Sequence, residues 1–229
     1  MLLERFFSIL LAASTLLNGS MHTAMPDKDI NGTLFLINRQ HSVSERYIPE
    51  PIRTTETTGV SQKMRDDAAT ALEALFAGAE EDDIRLYTVS GYRSYSTQKT
   101  IYARKVRNTG SEKAADKLVA RPGTSEHQLA LAMDLGTRTD QSLSERFAKT
   151  KEGQWVYQNA HRYGFIVRYL EGYEDVTGYD YEPWHIRYVG QPFAEAIHET
   201  GQPLETFMSQ YKLELYDYLI HLTSNEVLP

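Results

Sequence analysis

The chain has 229 residues, which at roughly 150 residues per domain is room for one ordinary domain with extensions. Hydrophobic residues make up 41% and charged residues 24%, a soluble globular composition that excludes a wholly disordered, collagen-like or multispanning membrane protein. The net charge of −7, without any dense basic stripe, argues against nucleic acid as a partner.

The first 20 residues are typical of a secretory signal peptide or a short membrane anchor. Glu4 and Arg5 precede an uncharged, mostly apolar run from Phe6 to Leu17. This run is shorter than the roughly 20 residues that a spanning helix needs, and it has the length of a signal-peptide core. We therefore expect an extracytoplasmic protein, secreted or anchored at the outer face of the cell membrane. The alternative is an apolar N-terminus that packs on the domain.

Residues 21–33 are predicted to be a linker, and residues 34–229 one domain with a C-terminal helical extension. In the first half of the chain, the apolar spacing predicts a strand at 34–37, a helix around 64–76, a strand at 85–90, and helices at 96–106 and 114–119. In the second half it predicts a strand at 131–135, a helical stretch from 147 to Gly164, strands at 165–167 and 184–189, and a helical tail from 193 to 219. Because helices and strands do not alternate regularly, the predicted fold class is α+β, a small antiparallel sheet with flanking helices. A monomer is expected.

Two of the seven histidines stand in settings that indicate a site. His127 follows a Pro-Gly turn, and Asp134 lies seven residues later in an apolar run, where burying an unpaired carboxylate costs several kcal/mol. His185 begins another apolar run. With no cysteine in the chain, any metal needs His, Asp or Glu ligands, and this donor set suits a catalytic Zn²⁺ with Glu182 as general base. A buried polar cluster without metal fits the same spacing, so both interpretations stay open.

The segments around these residues resemble the signatures of the zinc D-Ala-D-Ala metallopeptidases. Residues 125–134 resemble the pattern S-x-H-x-x-G-x-A-x-D, and residues 182–190 resemble the second signature. Residues 90–98 and 36–49 resemble further motifs of the VanY-type branch, so the similarity covers about residues 34–208. The pattern is broken at Ala130, where the signature has Gly. If the backbone there has a positive φ, alanine costs on the order of 1 kcal/mol.

The resemblance implies a hedgehog/D-Ala-D-Ala metallopeptidase-like fold and a zinc-dependent D,D-carboxypeptidase that removes the terminal D-Ala from peptidoglycan stem peptides. Carried over by residue, it implies three zinc ligands, His127, Asp134 and His185. It also implies Glu182 as catalytic base and acid, and Arg93 as the cation that faces the substrate near the metal.

Three further residues are candidates on the substrate side of this site. The resemblance implies Ser125 and Gln98 as residues near the bound peptide. Trp184, between Glu182 and His185 in the second signature, is predicted to form a packing wall of the site.

Alternatives remain within and beyond this activity. An L,D-carboxypeptidase acting on tetrapeptide stems has the same motifs. D,D-dipeptidases of the VanX kind resemble this signature but with Trp in place of Pro183, so the Pro183 form favours a carboxypeptidase. A phage-type endopeptidase is a further alternative, and the predicted signal segment counts against it. A non-catalytic wall-binding module of the same fold is the alternative from another class, and the presence of all three ligands and Glu182 counts against it.

Overall fold

The structure, a computed structural model, describes residues 29–225, with side chains up to Leu215. The predicted leader at 1–20 and residues 21–28 of the predicted linker lie outside this range, while residues 29–33 form a turn. Among the described residues, no helix combines the length and the apolar character needed to cross a membrane.

Within residues 29–225, six strands form two small antiparallel sheets. The first pairs β1 (Ile52–Thr54) with β2 (Lys63–Arg65). The second has the order β3-β4-β6-β5 and contains β3 (Tyr87–Ser90), β4 (Ala132–Gly136), β5 (Phe165–Tyr169) and β6 (Glu182–Tyr188). The predicted α+β class with a small antiparallel sheet is confirmed.

Helices flank the four-stranded sheet. They are α1 (Asp66–Glu81), α2 (Tyr95–Thr109), α3 (Glu112–Asp116), α4 (Lys151–Asn159), α5 (Glu174–Thr177), α6 (Phe193–Thr200) and α7 (Leu204–Asn225). Short 3₁₀ turns cover Glu126–Leu129, Glu145–Lys149 and Ala160–Tyr163. The first of these turns leads directly into β4 and carries one of the candidate ligands.

Local sequence explains where the helix next to the site begins and ends. The Ser94 side chain accepts a hydrogen bond from the backbone N–H of Thr97, which caps the start of α2. Gly110 ends the helix in the left-handed conformation, with φ of 78°. The strand-to-helix turn between β3 and α2 therefore holds Arg93 at a defined position.

Two buried apolar clusters support the sheet. The larger one joins α1 to the central strands, and its members include Leu72, Leu75, Met133, Leu135 and Ile186. The smaller one joins α6 and α7 to β5 and the N-terminal segment, and includes Leu36, Ile166, Ile197, Phe207 and Tyr211. All five residues of β4 are buried, which makes β4 the fixed centre of the sheet.

The strand predicted at 34–37 is wrong. The segment is extended in its side-chain pattern, since Phe35 and Ile37 enter the larger cluster while Leu34 and Leu36 enter the smaller one. It is not a strand: the carbonyl of Phe35 accepts from the Arg187 guanidinium at 3.0 Å and from the Ile37 N–H at 3.2 Å, not from a paired strand.

Two predicted helical stretches are interrupted. Residues 145–163 form a 3₁₀ turn, helix α4 and a second 3₁₀ turn, because Thr150 leaves the helical conformation and caps α4 by accepting from the Gly153 N–H. The predicted stop at Gly164 is confirmed, with φ of 82°. The tail is two helices because Gly201 takes φ of 62° and Pro203 directly precedes the next helix, whose first turn does not need its N–H.

Candidate metal centre

Three segments bring the predicted ligands together. In the sheet, Asp134 on β4 is the direct partner of His185 on β6, and His127 comes from the 3₁₀ turn before β4. One donor atom from each of the three residues lies within 4.8 Å of the others. All three side chains are at least 95% buried.

Hydrogen bonds fix which ring nitrogen of each histidine faces the cluster. Nδ1 of His127 lies 2.7 Å from the carbonyl oxygen of Gly91, so that nitrogen carries the proton and donates it. Nε2 of His127 then lies 3.3 Å from one oxygen of Asp134. For His185 the order is reversed, because Nε2 is bonded to Glu126 at 3.1 Å and Nδ1 lies 3.0 Å from the other Asp134 oxygen.

The chemistry of this donor set fits zinc. Two imidazole nitrogens and one carboxylate oxygen are the three protein ligands typical of catalytic zinc sites, which keep a fourth position open. The second ring nitrogen of each histidine is occupied by a carbonyl or a carboxylate, the arrangement usual for metal-binding histidines. His127, Asp134 and His185 are therefore the residues that could hold the ion.

Arg93 contacts the same cluster. One of its terminal nitrogens lies 2.8 Å from Asp134 and 2.6 Å from Nε2 of His127. The rest of the guanidinium donates to Ser90 at 3.0 Å and to Gln98 at 3.2 Å. A fixed cation at this point is suited to bind an anion next to the ligands.

A cleft of about 710 Å³ opens over the cluster. Ser125, Gln98, Glu182 and Trp184 line it together with the three candidate ligands and Arg93. One carboxylate oxygen of Glu182 lies 3.8 Å from Nδ1 of His185. The structure thus places every candidate site residue around a single cavity.

The two candidate carboxylates differ in pKa. Burial raises the pKa of Glu182 to about 8, and the negative charge of Asp134 adds to the effect. Burial also acts on Asp134, but the nearby histidines and Arg93 outweigh it and hold the pKa of that carboxyl well below its usual range. Glu182 is therefore suited to carry a proton, whereas Asp134 stays an anionic donor.

The two imidazoles also differ in pKa. Burial of the His127 ring, with Arg93 beside it, lowers its pKa to about 4, so the ring is neutral near pH 7. Burial acts in the same direction on His185, but hydrogen bonds to Asp134 and Glu126 outweigh it and raise the pKa to about 9. A metal ion therefore competes with a proton for His185.

Ser125 and Gln98 occupy the wall of the cleft differently. Ser125 is 4% exposed and directly precedes the 3₁₀ turn that carries His127. Gln98 is fully buried; its amide nitrogen donates to the carbonyl of Ala120 at 2.7 Å, and its oxygen accepts from Arg93. Gln98 thus acts on the site through the position of Arg93.

The sequence interpretation missed Glu126 and the ion pairs around it. Glu126 lies between Ser125 and His127, is buried, and accepts hydrogen bonds from Arg168, Arg187 and His185. Burial raises the pKa of Glu126, but the two arginines outweigh it and hold that pKa far below its usual range. In the sequence, the feature that could have indicated this cluster is the presence of Arg168 and Arg187 within predicted apolar strands.

Ala130 adopts a strained backbone conformation. Its φ is 56° and its side chain is fully buried, in the left-handed region that disfavours residues with a Cβ atom. The turn still forms, since the Ala130 N–H donates to the carbonyl of His127 at 3.2 Å and its own carbonyl accepts from Arg65 at 2.9 Å. The departure from the family pattern therefore leaves His127 in place.

A family profile described as D-alanyl-D-alanine carboxypeptidase, VanY, matches residues 61–191. The chain belongs to the VanY family. The putative carboxypeptidase YodJ of Bacillus subtilis is 41% identical over 186 residues, which cover 78% of this chain and 68% of that protein. A bifunctional D-Ala-D-Ala dipeptidase and carboxypeptidase, VanXYC of Enterococcus gallinarum, is 33% identical over 82% of this chain and 95% of its own length.

Solved structures of VanY-like enzymes share the fold. The LD-carboxypeptidase LdcB is 39% identical, with a TM-score of 0.74 over 80% of this chain and 88% of that one. A Zn(II) complex of the D,D-pentapeptidase VanY from a VanB-type resistance cassette is 32% identical, with a TM-score of 0.66 over 77% and 98%. Together with the donor set described above, family membership identifies the chain as a zinc metallocarboxypeptidase.

Proposed function

We propose that this protein removes the terminal D-Ala from peptidoglycan stem peptides, as a D,D-carboxypeptidase. The observation that carries the proposal is the convergence of His127, Asp134 and His185 within 4.8 Å, next to Glu182, in one open cleft. These three side chains would hold a zinc ion, and a set of three protein ligands is typical of catalytic zinc sites. The activities named for the relatives support the substrate class.

Each residue of the site has a separate task. Zinc, when bound, supplies Lewis acidity that polarises a carbonyl and activates water. The Glu182 carboxylate would take a proton from the attacking water and later deliver it to the leaving amine, for which a raised pKa is suitable. Arg93 stabilises negative charge that develops on the substrate, or holds the substrate's terminal carboxylate.

The walls of the cleft position the peptide. Ser125 lies next to the metal-binding turn and is the hydroxyl closest in sequence to a ligand. Gln98 acts on the substrate side by holding the guanidinium of Arg93. Trp184 lines the cleft, where its ring would pack against a bound peptide.

The second candidate is an L,D-carboxypeptidase that acts on tetrapeptide stems. It is favoured by the structural likeness to an LD-carboxypeptidase. Both activities would use the same zinc, base and cation, but they act on different stems: a pentapeptide with a D residue before the scissile bond, or a tetrapeptide with an L residue there.

Mass spectrometry of digests distinguishes the two candidates. We expect a pentapeptide ending in D-Ala-D-Ala to lose one alanine without release of a dipeptide, while the same peptide with an amidated C-terminus is cleaved poorly. Preference for a tetrapeptide with an L residue before its terminal D-Ala would overturn the D,D assignment and leave the zinc peptidase intact. Cleavage of neither peptide would refute the carboxypeptidase assignment.

Action on peptidoglycan places the protein outside the cytoplasm. The finer proposal is that residues 1–20 direct its secretion or anchor it at the outer face of the membrane, and it rests on the sequence alone. In this proposal the membrane is contacted only through that segment, and the folded domain acts as a monomer on its peptide substrate.

A further inference from the structure

A buried ion cluster lies directly behind the metal centre. It consists of Glu126, Arg168, Arg187 and Glu205. One oxygen of Glu126 accepts from Arg168 at 2.7 Å and from Arg187 at 2.7 Å. The other oxygen is bonded to Nε2 of His185 at 3.1 Å. Its side chain is fully buried, so these three partners satisfy it without solvent.

Both arginines are themselves held by distant parts of the chain. Arg168 on β5 forms a two-pronged pair with Glu205 in the first turn of α7, at 2.8 and 2.6 Å. Arg187 on β6 donates to the backbone carbonyls of Thr33 and Phe35. The position of Glu126 is therefore determined from two sides, and its orientation does not depend on His185.

The charges of the cluster balance, since it contains two carboxylates and two guanidinium groups. An isolated buried carboxylate would cost several kcal/mol, whereas one with two charged donors and full hydrogen bonding is tolerated. Because the arginines share a single oxygen of Glu126, the second oxygen is left for the imidazole.

We infer that Glu126 is a positioning residue for zinc, which orients His185 and fixes its tautomer. This inference rests on the proposed function, because it takes His185 as a ligand. With Nε2 committed to donating to Glu126, Nδ1, which lies 3.0 Å from Asp134, is the nitrogen left to bind the metal once its proton is displaced. A carboxylate on the far nitrogen also raises the basicity of the ligand, an effect worth about 10- to 100-fold in metal affinity.

The test compares Glu126→Gln with Glu205→Gln. Each substitution removes one charged acceptor from Arg168. In Glu126→Gln the amide oxygen faces the two arginines, so the amide N–H₂ meets Nε2 of His185 and forces the imidazole proton onto Nδ1. We expect zinc affinity, measured by competition with a chelator, to fall about 10- to 100-fold in Glu126→Gln and less than threefold in Glu205→Gln.

Equal losses in the two variants, or unchanged affinity in Glu126→Gln, would overturn the inference. If the wild-type protein binds no zinc, the proposed function itself fails, and the two outcomes are thus distinct. Should Glu126→Gln not fold, ¹⁵N NMR of the wild-type zinc protein decides the matter. The inference requires the ring proton of His185 on Nε2 and that of His127 on Nδ1; a proton on Nδ1 of His185 refutes it.

Discussion

Glu182 combines a position in the cleft wall with a pKa raised by burial to about 8. It lies 3.8 Å from Nδ1 of His185, close to the ligands without belonging to the three that converge. Its neighbour Pro183 is buried in β6. The backbone of the strand therefore holds the carboxylate at the edge of the metal centre.

Replacing Glu182 by Gln keeps the side-chain shape and removes the proton carrier. We expect turnover to fall at least ~100-fold while the purified variant retains its zinc, because the carboxylate is not one of the three ligands. Steady-state kinetics and metal analysis on the same sample measure both quantities. His185→Ala is the matched control and should lose zinc. Loss of zinc from Glu182→Gln would contradict the assigned role.

The candidate residues were predictable because each lies in a motif or breaks an apolar run. Asp134 is a carboxylate within a fully buried strand, and His185 opens another buried segment. Glu126 carries no such signal, since a glutamate in a turn is usually exposed. Its burial depends on arginines that arrive from strands β5 and β6 far along the chain, and no local pattern encodes that pairing.

At the scale of secondary-structure elements, the hydrophobic periodicity and the length of each apolar segment predicted the central strands and helices α1 and α2 to within a few residues. The error at 34–37 has a different origin from a misjudged boundary. The alternating side chains are those of a strand, but the Phe35 carbonyl is bonded by the Arg187 guanidinium and by the nearby Ile37 N–H. Hydrophobic periodicity reports which side chains are buried and says nothing about what bonds the backbone between them.

The turn between His127 and β4 gives a prediction about stability. Ala130→Val places a β-branched residue at φ of 56° in a fully buried position, so we expect the free energy of unfolding to fall by at least ~2 kcal/mol. Ala130→Gly relieves strain but loses a buried methyl group, and these effects offset to within about 1 kcal/mol. Urea denaturation measures both. Similar stability in the two variants would mean that the turn tolerates a branched side chain.

At the scale of the whole molecule, the metal centre is joined to the periphery by charge as well as by apolar packing. Glu205 in α7 is tied to the centre through Arg168 and Glu126. Helix α7 also contributes Phe207, Met208 and Tyr211 to the smaller core cluster. The C-terminal helix is thus part of the support of the catalytic unit.

Removal of zinc should lower thermal stability. A ligand at roughly 100 times its Kd stabilises the folded state by about 2.7 kcal/mol, which for a chain of this size corresponds to ~5 to 10 °C in Tm. Differential scanning calorimetry with and without a chelator measures the shift, and activity should be lost in parallel. His127→Ala should show no dependence of Tm on zinc. An unchanged Tm in the chelated wild-type protein would indicate that no ion is bound at this site.

The pairing of Asp134 with His185 across β4 and β6 also determines when the metal is acquired. The two residues are 51 positions apart in the chain, and a register slip of one residue would turn His185 to the opposite face of the sheet. An unfolded chain has therefore no assembled donor set, and the central sheet must form first. The protein takes up its ion after folding, so its occupancy reflects the free zinc of the compartment in which the folded protein resides.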